Sequence, residues 1–284
     1  MNNEEYKTTE SERIAEDDAK YLVFEDNGKW GFKKDGVVVI PATYDEAQGF
    51  SEGLAVVCLD DKWGHIDKNG NVVIPLKYDF AWDFIEGRAS VELNGKWGFI
   101  DKNGNEVIAL KYDHALPFHN GLAIVKLGWE KGFIDRTGNE VIPIKYNDAN
   151  PFIEGLARVE LVVEHNFKYG FIDKTGKEVI PIKYDNAENF SEGFASVSLK
   201  GKWGYIDKTG NEVIPIKYNY AQAFSEGMAM VELKGRCGYI DKTGKKVIPF
   251  KYKYGDFFKN GKARIVLGGT PGTIDKQGNF TPKE

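Results

Sequence analysis

The side chains that could carry catalytic or metal chemistry are few in this chain and widely spaced. The histidines are His65, His114, His119 and His165. Nucleophilic catalysis needs a serine or cysteine beside a histidine that an acid orients, and no such partner set is concentrated around any of the four. Signatures of zinc proteases, phosphate-binding loops and paired-cysteine metal sites are also missing. The sequence therefore predicts no enzyme, metal or cofactor site, unless a concave pocket gathers one of the last three histidines with an acid.

Residues 82–167 depart most from the pattern of the rest of the chain. Trp82 and Trp129 stand outside the recurring motif described below, and His114, His119 and His165 lie in the same stretch. Exposed aromatic side chains with polar neighbours are typical anchors of recognition surfaces, so one hypothesis is a binding surface built from these five residues. The alternative is neutral change in a tolerant array, with both tryptophans as local filler. A metal site from the three histidines has no support in their spacing.

Charge and hydropathy exclude several classes of partner. The net charge is −5 and the pI is about 5.6, so no overall field attracts nucleic acid or an anionic membrane. Lysines recur beside aromatic residues, as on polyanion-binding surfaces, but their acidic neighbours favour a solvated edge. No run of 18 apolar residues predicts a membrane-inserted segment. The polar N-terminus does not resemble a signal peptide, so we expect a cytoplasmic protein, or an exported one whose signal was removed.

The elements that hold these residues repeat at a nearly constant interval. A glycine that usually follows tryptophan precedes an aromatic residue and Ile-Asp in most copies, and neighbouring glycines are 33, 34, 34, 38, 34, 34 and 34 residues apart. Such a period is typical of repeat architectures, in which each copy buries its apolar face against its neighbours. The motif residues are Trp30, Trp63, Trp97, Trp203, Gly31, Gly64, Gly98, Gly132, Gly170, Gly204, Gly238 and Gly272.

Within a copy, the pattern predicts three short strands. Residues 88–93 alternate apolar and polar side chains, which is typical of a strand with one buried face. Asn94 and Gly95 then favour a tight hairpin into a second strand. The next turn has Asp101 as an acceptor for main-chain amides and Gly104 in the left-handed conformation, and leads to a third strand. Each copy is therefore predicted to be a three-stranded antiparallel meander.

A connector with two aromatic anchors joins one meander to the next. Tyr78 and Phe84 are such a pair, and we expect both rings to pack inward around a turn or one helical turn. Ordering 34 residues costs about 50 kcal/mol, more than an isolated copy offsets by burial. Copies must therefore stack against one another.

These patterns predict an all-β tandem array of about eight meanders over residues 21–284. We favour an open twisted stack, since propeller blades usually have four strands in longer repeats; a propeller-like closed ring is the alternative. Residues 1–20 form a polar N-terminal segment, predicted to be disordered or to form a short capping helix.

Three linked runs carry a resemblance to a known family. They are Lys-Trp-Gly-Tyr-Ile-Asp at 202–207, Glu-Val-Ile-Pro at 212–215 and Phe-Ser-Glu-Gly at 224–227, and they resemble the WG-repeat family of bacterial proteins. The resemblance implies a β-rich repeat protein of bacterial origin and no general enzymatic activity. Four copies depart from it, with Lys131, Tyr169, Cys237 and Pro271 in place of tryptophan. The tryptophan is therefore interpreted as a packing preference.

The leading hypothesis from the sequence is a non-enzymatic repeat scaffold that presents a long face to a protein partner. One alternative is a carbohydrate-binding module, because scattered aromatic residues stack on sugar rings. The other is a purely structural spacer without a special surface. Neither nucleic acid nor a cofactor is expected as a ligand.

Overall fold

The computed structural model describes residues 10–283, so residues 1–9 of the predicted N-terminal segment lie outside the described part. Helix α1 (Glu10–Asp18) follows them and ends shortly before the first strand. Near its C-terminal end, Asp17 and Asp18 pair with Lys68 at 2.6 and 2.7 Å, which places a positive charge where the helix dipole favours one. Within residues 10–283, no helix is long and apolar enough to cross a membrane.

The chain divides into two compact units, unit 1 (Met1–Ile144) and unit 2 (Lys145–Glu284). The strands of the first four sheets are, in sheet 1, β1 (Tyr21–Asp26), β2 (Lys29–Lys34) and β3 (Val37–Tyr44); in sheet 2, β4 (Glu46–Ala47), β5 (Ala55–Leu59), β6 (Lys62–Ile66) and β7 (Val72–Tyr78); in sheet 3, β8 (Phe80–Ala81), β9 (Ala89–Leu93), β10 (Lys96–Ile100) and β11 (Glu106–Tyr112); and in sheet 4, β12 (His114–Ala115), β13 (Leu122–Leu127), β14 (Glu130–Asp135) and β15 (Glu140–Tyr146).

Unit 2 continues the same pattern after β15. Its strands are, in sheet 5, β16 (Asp148–Ala149), β17 (Ala157–Val163), β18 (Asn166–Ile172) and β19 (Glu178–Tyr184); in sheet 6, β20 (Asn186–Ala187), β21 (Phe194–Leu199), β22 (Lys202–Asp207) and β23 (Glu212–Tyr218); in sheet 7, β24 (Tyr220–Ala221), β25 (Met228–Leu233), β26 (Arg236–Asp241) and β27 (Lys246–Tyr252); and in sheet 8, β28 (Tyr254–Gly255), β29 (Lys262–Leu267), β30 (Thr270–Asp275) and β31 (Phe280–Pro282).

Each sheet after the first contains the predicted meander and one further short strand. In sheet 3 the connector does not form a helical turn, because Phe80 and Ala81 pair with Glu92 and Val91 of β9. This pairing satisfies main-chain groups that would otherwise lie buried without partners. In sheet 1, α1 precedes the meander and no short strand is present among the described residues. The all-β fold and its tandem antiparallel sheets are confirmed, and none of the sheets described closes into a barrel.

The motif glycine is required by a bulge between the second and third strands. In sheet 3, Trp97 faces Tyr112, whereas Phe99 faces Ile108, so β11 has two extra residues at this point. The bulge brings the strands so close that a Cβ on Gly98 would lie 2.5 Å from the carbonyl oxygen of Ile108. A similarly close approach to a main-chain oxygen, of 2.4 to 2.8 Å, occurs at Gly31, Gly64, Gly132, Gly170, Gly204, Gly238 and Gly272.

The core of each unit lies between successive sheets. Trp97 and Phe99 of sheet 3 pack with Phe118 and Val125 of sheet 4 in one buried cluster. The rings of Phe99 and Phe118 are 4.7 Å apart. Tyr112 and Phe118, the two anchors of this connector, are both buried, as predicted. An aromatic side chain of one sheet and the connector phenylalanine of the next thus join the two sheets.

Within each unit, a carboxylate links one sheet to the next in a contact that we call a clasp. Glu52 accepts a hydrogen bond from the Gly87 N–H at 3.1 Å and pairs with Lys102, also at 3.1 Å. At the end of α1, Asp18 accepts from the Gly53 N–H at 3.0 Å and pairs with Lys68. The other clasps are Glu86 with Gly121 and Arg136, Glu154 with Gly193 and Lys208, Glu192 with Gly227 and Lys242, and Glu226 with Gly261 and Lys276.

The turn between the second and third strands has the predicted chemistry. The Asp101 carboxylate accepts from the main-chain amides of Asn103 and Asn105, both at 2.9 Å. Gly104 adopts a φ of 81°. The Asn105 side-chain amide also donates to Asp101, and this bond is the main cause that lowers the pKa of the Asp101 carboxyl.

Candidate functional site

Trp82 lies in the connector after β8 and is only partly exposed. Its main-chain N–H donates to the Ser90 carbonyl at 2.9 Å, which holds the connector against the first long strand of the same sheet. The indole packs edge-on against Phe80, with ring centroids 5.2 Å apart. Its Nε1 is buried and finds no hydrogen-bond partner within residues 10–283. Trp82 therefore contributes packing contacts to sheet 3.

His114 joins Trp82 in an aromatic row, which we define as Trp82, Phe80, Trp97 and His114. The His114 ring, on β12, lies 4.9 Å from the Trp97 ring. Trp97 in turn lies 5.7 Å from Phe80. Burial lowers the pKa of His114, and two nearby lysines lower it further, so the imidazole is neutral at pH 7. The structure thus connects two of the five expected site residues through a row of tilted and edge-on ring contacts.

Trp129 and His119 lie away from the aromatic row. Trp129 is at the tip of the hairpin that joins β13 and β14, and it is 85% exposed. Its ring contact in the described part of unit 1 is with Lys126, whose Nζ lies 5.5 Å from the centroid. His119 is exposed on the loop before β13, where its main-chain N–H donates to Leu122 at 2.8 Å. Trp129 is thus a large aromatic side chain that sheet 4 presents to solvent.

The extra residues of the fifth copy lengthen a hairpin in unit 2. Strands β17 and β18 have seven residues each, and His165 lies in the turn between them with a φ of 65°. Val162, Val163 and Phe167 beside it are exposed, Phe167 by 57%. The insertion therefore creates an apolar hairpin tip with an exposed histidine at its end.

The histidines do not form a common site within either unit. His114 packs in the aromatic row, whereas His119 belongs to an exposed loop of the same unit. His165 lies on the hairpin tip of unit 2. Among residues 10–283, no group of three or more His, Cys, Asp and Glu side chains is arranged to hold a metal ion.

One protein-family model matches this chain repeatedly, and these matches decide its family. The model described as WG containing repeat matches seven segments, at residues 32–63, 63–97, 97–128, 132–161, 169–203, 203–237 and 238–270. The chain belongs to the WG-repeat family. No curated protein matches its sequence.

Solved structures with some likeness to this WG-repeat chain are distant in sequence. Hsv2 of Kluyveromyces lactis is 9% identical with a TM-score of 0.44, over 84% of this chain and 97% of that one. A eukaryotic initiation factor is 11% identical with a TM-score of 0.42, over 91% and 94%. The extracellular domain of a one-component system of B. thetaiotaomicron is 10% identical with a TM-score of 0.34, over 92% and 47%. All three TM-scores are below 0.5, and these likenesses carry no argument about function.

The WG-repeat tryptophan is a packing residue in this chain. Trp63 and Trp97 are buried, and each packs at a tilt against an aromatic ring of the following connector, Phe80 and His114 respectively. Cys237 is buried at the equivalent position of sheet 7. A small buried side chain thus occupies the position that a large one fills elsewhere.

Two titratable groups in unit 1 were not identified from the sequence. His65 is fully buried, and its Nε2 lies 3.0 Å from the Trp82 carbonyl oxygen. A carbonyl only accepts, so Nε2 carries the hydrogen, and burial lowers the pKa of His65 to about 4. Burial also raises the pKa of the Asp83 carboxyl to about 6. The sequence signal for His65 was its position in the repeat. Tyr205 and Tyr239 occupy the same position in later copies, and each donates to the carbonyl 17 residues further along the chain, as His65 does to Trp82.

Replacing His65 by tyrosine is expected to reduce the loss in the free energy of unfolding that occurs at acid pH. The unfolded chain takes up the histidine proton near pH 6.5, whereas the folded chain does so only near pH 4. Stability is therefore lost as the pH falls from about 6.5 to 4, by about 2 kcal/mol at pH 5. The free energy of unfolding at pH 5 and pH 8, measured with urea, should differ less for His65→Tyr than for wild type by about this amount.

The comparison between variant and wild type removes the contribution of Asp83. The raised pKa of Asp83 has the opposite effect on stability to that of His65. It favours the folded state as the pH falls from about 6 to 4, equally in both proteins. His119→Tyr, at an exposed position, should leave the wild-type profile unchanged. Equal pH profiles for wild type and His65→Tyr would show that His65 does not remain neutral in the folded protein.

Proposed function

We propose that this protein is a non-catalytic scaffold that binds a protein partner, with Trp129 as an anchor of the interface. The observation that carries the proposal is the 85% exposure of this tryptophan at a hairpin tip of a well-packed sheet. Tryptophan is enriched among the residues that dominate binding energy, because it buries a large rigid surface in one contact.

Two further features support a protein partner. In unit 2, Val162, Val163 and Phe167 form a second exposed apolar tip. Tandem repeats also offer an extended surface, of the kind that repeat proteins use to bind other proteins. The net charge of −5 favours a partner other than nucleic acid.

The roles of the histidines support a non-catalytic function. His65 donates to a carbonyl in the core, and His114 packs against Trp97. His119 and His165 are exposed on a loop and a hairpin turn. Each of the four thus has a packing or surface position that requires no catalytic role.

The test begins with capture of partners from a lysate of the source organism and purification of the enriched protein. Titration calorimetry should then show that Trp129→Ala weakens its binding by about 10-fold or more, as expected for an interface anchor. Trp82→Ala is unsuitable as a probe, since it removes packing from the aromatic row.

Leu22→Ala is the matched control, because Leu22 is also apolar and exposed in unit 1. Its affinity should remain within about twofold of wild type, and circular dichroism should show both variants folded. If wild type enriches no protein, or Trp129→Ala binds as tightly as Leu22→Ala, the proposal is wrong.

A further inference from the structure

A cavity of about 440 Å³ in unit 2 lies among the connectors of sheets 6, 7 and 8. Three of its lining residues, Glu188, Gln222 and Asp256, occupy the same position in successive copies, four residues after the connector tyrosine. Since copies stack in order, this position forms a row of oxygen-bearing side chains along the cavity. No lysine or arginine lines the cavity in the described part of the chain.

The two serine hydroxyl groups that line the cavity donate their hydrogens to main-chain carbonyl groups. Ser191 donates to the Phe224 carbonyl at 2.8 Å, and Ser225 donates to the Phe258 carbonyl at 2.6 Å. Each hydroxyl has one hydrogen, so these two oxygens are left to accept. The serines therefore add acceptors to the cavity.

The side chains of the row also favour a ligand that donates hydrogen bonds. The Gln222 Oε1 is buried and has no hydrogen-bond partner among residues 10–283. Glu188 is exposed, and its carboxylate forms no ion pair or hydrogen bond within the same residues. Asp256 differs, because it is buried and paired with Arg264. Glu188 thus brings to the cavity a carboxylate that forms no ion pair among these residues, and Gln222 brings an amide oxygen that lacks a donor.

Two exposed aromatic rings also line the cavity. Tyr220 is 42% exposed and Phe257 is 49% exposed, while Phe224, on the same connector as Tyr220, is buried. Aromatic faces attract organic cations and pack against the methylene groups that carry them. The cavity thus combines apolar walls, several acceptors and one free carboxylate.

We propose that this cavity binds a lysine side chain of the protein partner. The methylene stem lies against Tyr220 and Phe257, and the ammonium group donates to Gln222 Oε1 and the Glu188 carboxylate. The acceptors come from separate side chains on successive connectors, which suits the diverging hydrogens of an ammonium better than the planar fork of a guanidinium. This inference rests on the proposed protein-binding function and names a chemical feature that the partner must present.

The experiment uses a small probe, so that it does not depend on identifying the partner. N-acetyl-lysine methylamide is titrated into the full chain, and the NMR signals of the main-chain amides of residues 220–225, which every variant retains, are followed. We expect saturable shifts with the lysine probe and none with the norleucine analogue, which has a similar stem without the charge. Affinity should fall about fivefold in Glu188→Gln and about tenfold in Gln222→Leu.

Glu212→Gln is the matched control, because Glu212 is an exposed acid of unit 2 that does not line the cavity. Its affinity for the probe should equal that of wild type. The inference is overturned if the norleucine analogue shifts the same signals, if Glu188→Gln and Gln222→Leu bind like wild type, or if the arginine analogue binds more tightly than lysine. Loss of partner binding in Trp129→Ala without these probe effects would leave the proposed function standing and refute the lysine site alone.

Discussion

Replacing Gly98 by alanine is expected to destabilise the protein by about 3–5 kcal/mol. The added Cβ would lie 2.5 Å from the Ile108 carbonyl oxygen and 2.8 Å from the main chain of Ala109. Both obstacles are backbone atoms of a paired strand, so they cannot move aside as a flexible side chain would. Relief would require breaking the bulge that joins β10 to β11. Urea unfolding, followed by tryptophan fluorescence and circular dichroism, measures the change.

Gly95→Ala provides the control for glycine replacement itself. Gly95 lies in the β9–β10 hairpin with a φ of 74°, and a Cβ there would meet no atom within 4 Å. The cost should be about 1 kcal/mol, that of placing alanine in the left-handed conformation. If Gly98→Ala were no more destabilising than Gly95→Ala, the close approach across the bulge would not explain the motif glycine.

Replacing Phe118 by alanine is expected to cost about 3–5 kcal/mol, the usual range for a buried phenylalanine. Its side chain is 1% exposed and packs against Phe99, 4.7 Å away between ring centroids. Because Phe118 belongs to sheet 4 and Phe99 to sheet 3, the substitution leaves a cavity between two copies. Amide hydrogen exchange should therefore accelerate in both sheets, and urea unfolding gives the loss of stability.

Phe167→Ala removes the same side chain from an exposed position. Its ring is 57% exposed on the β17–β18 hairpin, so stability should change by no more than about 0.5 kcal/mol. A similar loss in both variants would contradict a core located between the sheets. Faster exchange confined to sheet 4 in Phe118→Ala would show that the connector ring stabilises only its own sheet.

The long strands and their turns could be predicted because their determinants are local. Alternating side chains, Asn94-Gly95 and the Asp101 turn each specify structure within a few residues. The two-residue strand β8 could not be predicted in this way, because two residues show no periodicity and its partners lie on β9. The close contact at Gly98 was equally hidden, since it depends on the register between β10 and β11.

The candidate site was only partly accessible from the sequence. Departures from the repeat pattern identified Trp82 and Trp129 alike, but a departure does not reveal burial. Trp82 meets Phe80 and is partly covered, whereas Trp129 extends from a hairpin tip into solvent. The cavity of unit 2 gave no signal, because its row contains three different residue types and only stacking brings them together. Tertiary packing thus decides which unusual residues are accessible to a partner.

The clasps make the two ends of each unit chemically different. In each clasp, a carboxylate of one copy accepts from the glycine amide and pairs with the basic residue of the copy that follows, as Glu192 does with Gly227 and Lys242. Losing the last copy of a unit would leave a carboxylate that water solvates readily. Losing the first would leave an amide and a lysine without their acceptor. During evolution by gain and loss of whole copies, the two ends of such a unit are therefore unequal: loss at the C-terminal side exposes an anion, and loss at the N-terminal side exposes an amide and a cation.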